Sequence, residues 1–507
     1  MDEAAGQSGE ARPLGRLARA AGAVCLAAAA GWWLFADTVE RYAPSVSARP
    51  LRVSFWGPFQ EFRMWKEMLA HFRRKHPDIP VRPEYFPSRY DQKISQLLVA
   101  GDAPDVILYQ DEPFPNIIET DPNRGIEPKF ANLTRLAAEQ GQALTRDWLL
   151  QTFWQTSVEY FGRWEGRGAE RAWQQYGMPV WGGCNLFYYN KECFRRCNVR
   201  VAKLPGPKGL VRAPDGKGWL LDDEHWDLDE FLEVLKLLTA DFDGDGRNDQ
   251  FGLSLNSSLY WLPLHYACGA DVLTEDRTRT VFYGPGVERS LALWQDVIYR
   301  YHVSPREAEL GQMGEGVGFF TGHVAMFCSG PWGMPFLNEA HLDYDVLHVP
   351  RNPRTRQRAT RITWDCVAIA AGSTRKADAW LLVKHLASME SMEVVADVQR
   401  SIPTRREAKD YFVSVNPKVG VGKFVEAAAT YARMQPVTKH WSIMQRAWSN
   451  AMSDLRRDDP DKRLTPAEAI GAFYSDRKLD EVLPPADPNE ADRYRRLYQK
   501  RLQGGGS

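Results

Sequence analysis

The segment DFDGDGRNDQFG, residues 241–252, carries four aspartates within nine positions, at Asp241, Asp243, Asp245 and Asp249. That spacing fills positions 1, 3, 5 and 9 of a calcium loop, with Gly246 at the position-6 turn and the Arg247 carbonyl available at position 7. A hard dication suits such an oxygen set, and without one the carboxylates repel each other. Position 12 is Gly252 rather than a bidentate glutamate, so the loop departs from a full EF-hand and needs a water or a distant carboxylate to complete its shell. The expected cofactor is a structural calcium between a helix over 228–239 and a strand at 251–255; the alternative is a solvated acidic turn.

A second chemistry rests on flat apolar faces. The chain holds 18 Trp, 19 Tyr and 23 Phe, most of which must pack cores. Trp65, Trp148, Trp294 and Trp380 fall in helical apolar periodicity and are expected there. Trp56, Trp181, Tyr260, Trp261, Trp332 and Trp364 stand at strand ends or turns, where a ring can stack on a sugar. In SGPWGMP (329–335) Trp332 follows an apolar strand and a Gly-Pro turn. Asp111, Glu112, Asn185, Asp365 and Arg400 are groups able to bind sugar hydroxyls; Arg400 has the alternative role of buttressing the Ile402-Pro403 turn. Asp111 and Glu112 could also be cast as the acid and base of a glycan-active enzyme. Against this, neighbours on a strand end point apart, whereas glycosidase carboxylates face each other across about 5–10 Å. The sequence also lacks GxxxxGK[ST], GxSxG and HExxH motifs, so no catalytic residues are expected.

The scaffold that must position these groups has ordinary globular composition: 507 residues, 44% hydrophobic, 64 Lys+Arg against 65 Asp+Glu. A net charge of -1 with no long basic run gives no reason to expect a nucleic-acid partner. The length exceeds the roughly 250–300 residues at which single cores stop growing, which predicts two lobes. At the N-terminus Arg12, Arg16 and Arg19 precede an uncharged run, AAGAVCLAAAAGWWLFA, and a basic flank on a short apolar span marks export. No small-residue cleavage site closes the run. Residues 20–36 are therefore expected as an uncleaved signal anchor, with a cytoplasmic tail (1–19) before it and a linker (37–50) after it. Lipidation at Cys25, disfavoured by Val24, and cleavage after Ala48 are the alternatives. The six later cysteines leave room for one or two disulfides.

Beyond the linker, LRVSFW (51–56) reads as a buried strand, Phe62 to Phe72 as a helix, IPVRPEYF as a strand, and DQKISQLLVAGDAPDVILYQDE as a further helix and strand running into an acidic loop. Alternation of this kind predicts an α/β lobe with a parallel sheet, whose ligands bind past the carboxyl ends of the strands. The stretches APDVILYQ, YGMPVWGGCNLFYYNKECF, HWDLDEFLEVLKLLT, FFTGHVAMFCSGPWGMPFL, DCVAIAAGSTRKADAWLLVKHLAS and RSIPTRRE together resemble the extracellular solute-binding proteins of ABC importers, in the carbohydrate-binding group that includes maltose-binding protein. The resemblance covers roughly residues 50–485, and departs from the family in its anchor and in a Gly/Pro-rich insertion (204–224) expected as a surface loop. It implies a periplasmic-binding-protein-like α/β fold of two lobes, joined by crossover strands around a ligand cleft. Lobe 1 would take 51–178 plus 362–388, lobe 2 would take 179–361 plus 389–485, and a C-terminal tail would follow (486–507). The implied function is capture of a sugar or oligosaccharide and delivery to ABC permease subunits, by a monomer anchored outside the cytoplasmic membrane. A membrane-anchored sugar sensor or scaffold on the same fold is the alternative.

Overall fold

The computed structural model describes residues 49–120, 125–255, 258–310, 314–416 and 419–504. The expected anchor and cytoplasmic tail, and nearly all of the linker, lie outside them. No helix among the described residues is long and apolar enough to cross a membrane.

The strand–helix grammar of the first lobe holds. Leu51–Trp56 lies parallel to both Val81–Phe86 and Val106–Gln110. The helix Phe59–Lys75 buries Met64, Trp65, Met68, Leu69 and Phe72 along one stripe and stops at His76, where Pro77 disfavours further helix. The helix Tyr90–Ala100 ends at Gly101, which takes the left-handed conformation (φ 73°) that glycine adopts freely. Two antiparallel strands extend this parallel core: Thr360–Ile369 beside Val106–Gln110, then Gly177–Cys184, with the short Ile402–Pro403 at the edge. Ala432–Met434 joins the start of Thr360–Ile369.

A second, three-stranded sheet has Leu186–Asn190 between Met326–Ser329 and Tyr344–Leu347, all antiparallel. The chain runs from Gly177–Cys184 straight through Asn185 into this sheet, and returns to the first sheet along Thr360–Ile369. These two strands are crossovers between the lobes, and the chain crosses again past Ile402–Pro403 before Gly420 and Lys423 bond to Asp345 and Val346 of the second sheet. Gly182 makes the approach of the two strands possible: a Cβ there would lie 2.3 Å from the Thr363 carbonyl oxygen and 2.4 Å from the Trp364 ring.

Several expectations change. The helix Met389–Val398 packs Met392, Val394 and Val395 into the first-lobe core with Trp65 and Phe72, so residues 389–398 join lobe 1 rather than lobe 2. The insertion 204–224 is no plain loop, because Leu210–Arg212 and Trp219–Leu221 pair with each other and the latter with Val199–Val201. The strand anticipated at 251–255 shrinks to isolated bridges at Phe251 and Ser254. The expected tail carries the helix Pro488–Gly504, docked through the buried Tyr494 on Gly471, whose missing side chain leaves room for the Tyr494 backbone. Among the described residues the six cysteines after the linker form no disulfide, and Trp148 is 42% exposed rather than core.

Candidate ligand-binding cleft

The crossover strand Thr360–Ile369 sorts its side chains by alternation. Ile362 and Trp364 are fully buried apolar groups, while Arg361, Thr363 and Asp365 take the opposite face. A bulge between Asp365 and Cys366 re-aims the strand at that point. Thr363 Oγ1 donates to Asp111 Oδ1 at 2.9 Å, and the Asp111 N–H donates to the Trp364 carbonyl at 3.2 Å. The acidic loop past Val106–Gln110 is thereby pinned to the crossover. Gln435, fully buried, closes the group: its Nε2 donates to Asp111 Oδ1 (3.0 Å) and Glu112 Oε1 (3.3 Å), and its Oε1 accepts from Arg361. The turn thus brings Asp111 and Glu112 onto one amide, although as strand-end neighbours they were expected to point apart. Tyr160 donates to the Ile362 carbonyl (3.1 Å) and accepts from the Gln435 N–H (2.5 Å), holding that amide in place.

Farther along the same floor, Arg400 Nε donates to Glu61 Oε2 at 2.8 Å. Glu61 lies in the first turn of Phe59–Lys75, folded against Gly57, where a Cβ would meet its carboxylate at 2.3 Å. Trp56 is half-buried beside Tyr90, and Tyr260 is half-buried with the Arg361 guanidinium 5.7 Å from its ring. Trp332 sits half-buried on the turn Pro331–Gly333; Gly183 lets that turn press on the crossover, since a Cβ there would stand 2.4 Å from Pro331 Cδ. A hydrogen bond from Gln60 Nε2 to Glu339 Oε1 (2.8 Å) joins the helix after Trp56 to the helix after Trp332.

Burial, with Glu112 adding to it, pushes the Asp111 carboxyl up to about 7 against the pull of Thr363, Arg361 and the Trp364 backbone. Burial also raises Asp365 well above the carboxylate range, with Glu61 and Asp111 adding to it, and raises Glu61 against the pull of Arg400. Several buried polar atoms of this floor have no protein partner: Trp56 Nε1, Glu61 Oε1, Asp111 Oδ2, Arg361 Nε and both ends of the Asn185 amide. Such atoms cost about 1–3 kcal/mol each when left unmet. Others of the kind are scattered through the molecule.

The sequence matches the bacterial extracellular solute-binding proteins over residues 56–393. The chain belongs to this family. Among curated proteins none matches it. Solved structures of the same fold include an ABC substrate-binding protein from Listeria monocytogenes in complex with cycloalternan (19% identity, 85% of this chain and 98% of that one, TM-score 0.67). Maltose-bound MalE3 of T. maritima is similar at 18% identity, 86% and 100% coverage and TM-score 0.64. The GacH receptor of Streptomyces glaucescens, studied unliganded and with acarbose, is similar at 18% identity, 86% and 99% coverage and TM-score 0.64.

In this solute-binding protein three of the six candidate aromatics leave the site. Trp181 is buried edge-on against Trp65 at 5.6 Å, its indole N–H serving Asp365. Trp261 stacks on Trp294 at 4.7 Å and donates to Ser290 Oγ at 2.9 Å inside lobe 2. Trp364 faces the core and donates to Thr156 Oγ1 at 3.0 Å. Trp56, Tyr260 and Trp332 keep partly open rings. Asp111, Glu112, Asp365 and Arg400 lie along the floor, and Asn185 is a fully buried amide next to Arg361. Sequence reasoning missed Glu61, Tyr160, Arg361, Thr363 and Gln435.

Two hollows of about 850 and 940 Å³ lie elsewhere, one lined by Arg135, Trp164 and Tyr176, the other by Arg351, Arg358 and Tyr431. Neither includes the floor carboxylates or Trp332. The second borders Glu224, His348 and Glu426, whose ligand atoms lie within 4.8 Å of one another. Arg358 and Arg351 already neutralise Glu224, each at 2.7 Å, and burial with those cations pushes His348 down to about 2, as befits a neutral ring in an ion-pair network. In the acidic loop, carboxylate oxygens of Asp241, Asp243 and Asp249 also lie within 4.8 Å of one another. Asp241 caps the N–H groups of Gly244 (2.7 Å) and Gly246 (2.9 Å), while Asp245 accepts from the Arg247 N–H (2.8 Å).

Proposed function

We propose that this solute-binding protein captures a sugar or oligosaccharide between its lobes and delivers it to the permease of an ABC importer at the outer face of the cytoplasmic membrane. The observation that carries the reading is the cleft floor, where half-open rings of Trp56, Tyr260 and Trp332 accompany buried hydrogen-bonding atoms that no protein group meets. Stacking faces plus unmet donors and acceptors are what pyranose rings and their hydroxyls use. The sugars held by the similar structures named above agree with this. Binding would proceed by closure about the crossovers between the lobes, with the Gln60–Glu339 contact bridging them. No step makes or breaks a covalent bond.

The Arg-flanked apolar run at 20–36 would tether the protein to the membrane, and a calcium on Asp241, Asp243, Asp245, Asp249 and the Arg247 carbonyl would brace the loop before Gln250. The test is a thermal-shift screen of the exported portion, residues 49–507, against mono- and oligosaccharides. A ligand that binds only the folded state at about one hundred times its Kd adds roughly 2.7 kcal/mol, an easily seen rise in Tm. Silence across a broad glycan panel would refute sugar capture.

A further inference from the structure

The floor of the cleft carries four carboxylates, Glu61, Asp365, Asp111 and Glu112, in one run. Asp365 pairs in register with Gln110, the residue before Asp111, and is raised by the negative charges of both Glu61 and Asp111. Glu112 adjoins Asp111 and shares its Gln435 amide. Among the described residues two cations pair with the run, one at each end: Arg400 on Glu61, and Arg361, whose Nη1 stands 4.0 Å from Glu112 Oε1. Among the described residues, Asp111 and Asp365 in the middle have no ion pair. Tyr160, Cys366 and Asp91 beside the run supply no positive charge; a further cation, Arg277, lies 5.8 Å from the Tyr160 ring and pairs with none of the four carboxylates. With every group ionised the four carboxylates exceed their two paired arginines by two charges, and still by one when Arg277 is counted, in a place where burial makes charge expensive.

We infer that the solute this cleft selects is a cationic sugar, an amino sugar or an oligosaccharide carrying a protonated amine, with the ammonium group seated between Asp111 and Asp365. The inference rests on the sugar-binding reading and narrows it. A neutral sugar closing over this floor would leave these two carboxylates without a counter-charge and return only hydroxyl hydrogen bonds. An ammonium group returns charge-assisted bonds to Asp111 Oδ2, an atom with no protein partner, and to Asp365. A metal ion is the poorer fit, since no three of these carboxylates bring oxygens within 4.8 Å of one another. The run is spread out, as an organic cation with flanking hydroxyls requires.

The experiment compares three probes by calorimetry with the exported portion at pH 7: glucosamine oligosaccharides, the same chains N-acetylated, and maltotriose. The expected result is binding of the amine form at least about tenfold tighter than either neutral form. That preference should shrink as salt rises from 50 to 500 mM and move toward unity in Asp365→Asn. Neutral sugars that bind as tightly as the amine, or a preference indifferent to both salt and Asp365→Asn, overturn the inference and leave sugar capture standing. Failure of the amine probe to bind overturns the inference, whereas the sugar reading falls only with silence across the broad glycan panel. The salt series on the unaltered protein keeps the test decisive if the variant does not fold.

Discussion

Replacing Asp111 by Asn should make the ligand-free protein more stable, by an amount that grows with pH. Asp111 is fully buried, and its carboxyl is raised from 3.8 to about 7. Below pH 4 the folded and unfolded chains both hold this proton, and the group adds no pH-dependent cost. Between about 4 and 7 the unfolded chain releases the proton while the folded chain keeps it, so the unaltered protein loses stability as pH rises; above 7 the loss levels off. At about 1.4 kcal/mol per pH unit the full loss is roughly 4 kcal/mol, of which about 3 kcal/mol falls between pH 5 and pH 8. Asn keeps the acceptor for Thr363 and Gln435 and cannot ionise. It also removes a negative neighbour from Asp365, which acts in the same direction. In a chain this long each kcal/mol is worth about 1 °C, so the gap in Tm between Asp111→Asn and the parent should widen by roughly 3 °C from pH 5 to pH 8. Differential scanning fluorimetry of both proteins across that range measures it, and the difference cancels every other titrating group. Parallel curves would show that Asp111 ionises freely in the folded protein and would refute the account of the cleft floor as a place hostile to unpaired charge.

The remaining expectations are simpler. Trp332→Ala should weaken sugar binding by about 1–3 kcal/mol with little change in Tm, because the ring is half-open; unaltered affinity in calorimetry would remove Trp332 from the site. Trp261→Ala should do the reverse: loss of the stack on Trp294 and the bond to Ser290 is expected to cost about 3–5 kcal/mol in stability, read as a lower Tm, without a change in affinity of the folded protein. Chelation by EGTA should lower the Tm, added calcium should restore it, and Asp241→Asn should abolish the response; a Tm indifferent to EGTA would make the loop a plain acidic turn.

What the sequence disclosed and what it hid divide along the range of the interactions involved. The repeated strand and helix of residues 51–110 were legible because each element is set by its own periodicity and its Gly and Pro boundaries. The stop before Pro77 and the turn at Gly101 are decided within a few residues. Which face a strand-end tryptophan takes is decided by the partner strands. Trp181 and Trp261 therefore read like Trp332 in sequence, yet pack against Trp65 and Trp294 from distant helices. Gln435 and Tyr160 reach the floor from segments with no local mark, and nothing short of the tertiary structure would find them. Residues 361–365 are a different case. In Arg361-Ile362-Thr363-Trp364-Asp365 polar and apolar residues alternate, and a strand turns successive side chains to opposite faces. Trp364 and Asp365 therefore could not both face a ligand. Taking Asp365 as the polar member excludes Trp364 and brings in Arg361 and Thr363, the two residues that hold Asp111, Glu112 and Gln435 at the floor. The same alternation explains why the bulge follows Asp365: past it Val367, Ala368 and Ile369 are all buried in the first-lobe sheet, and the polar face of the crossover ends where the cleft does.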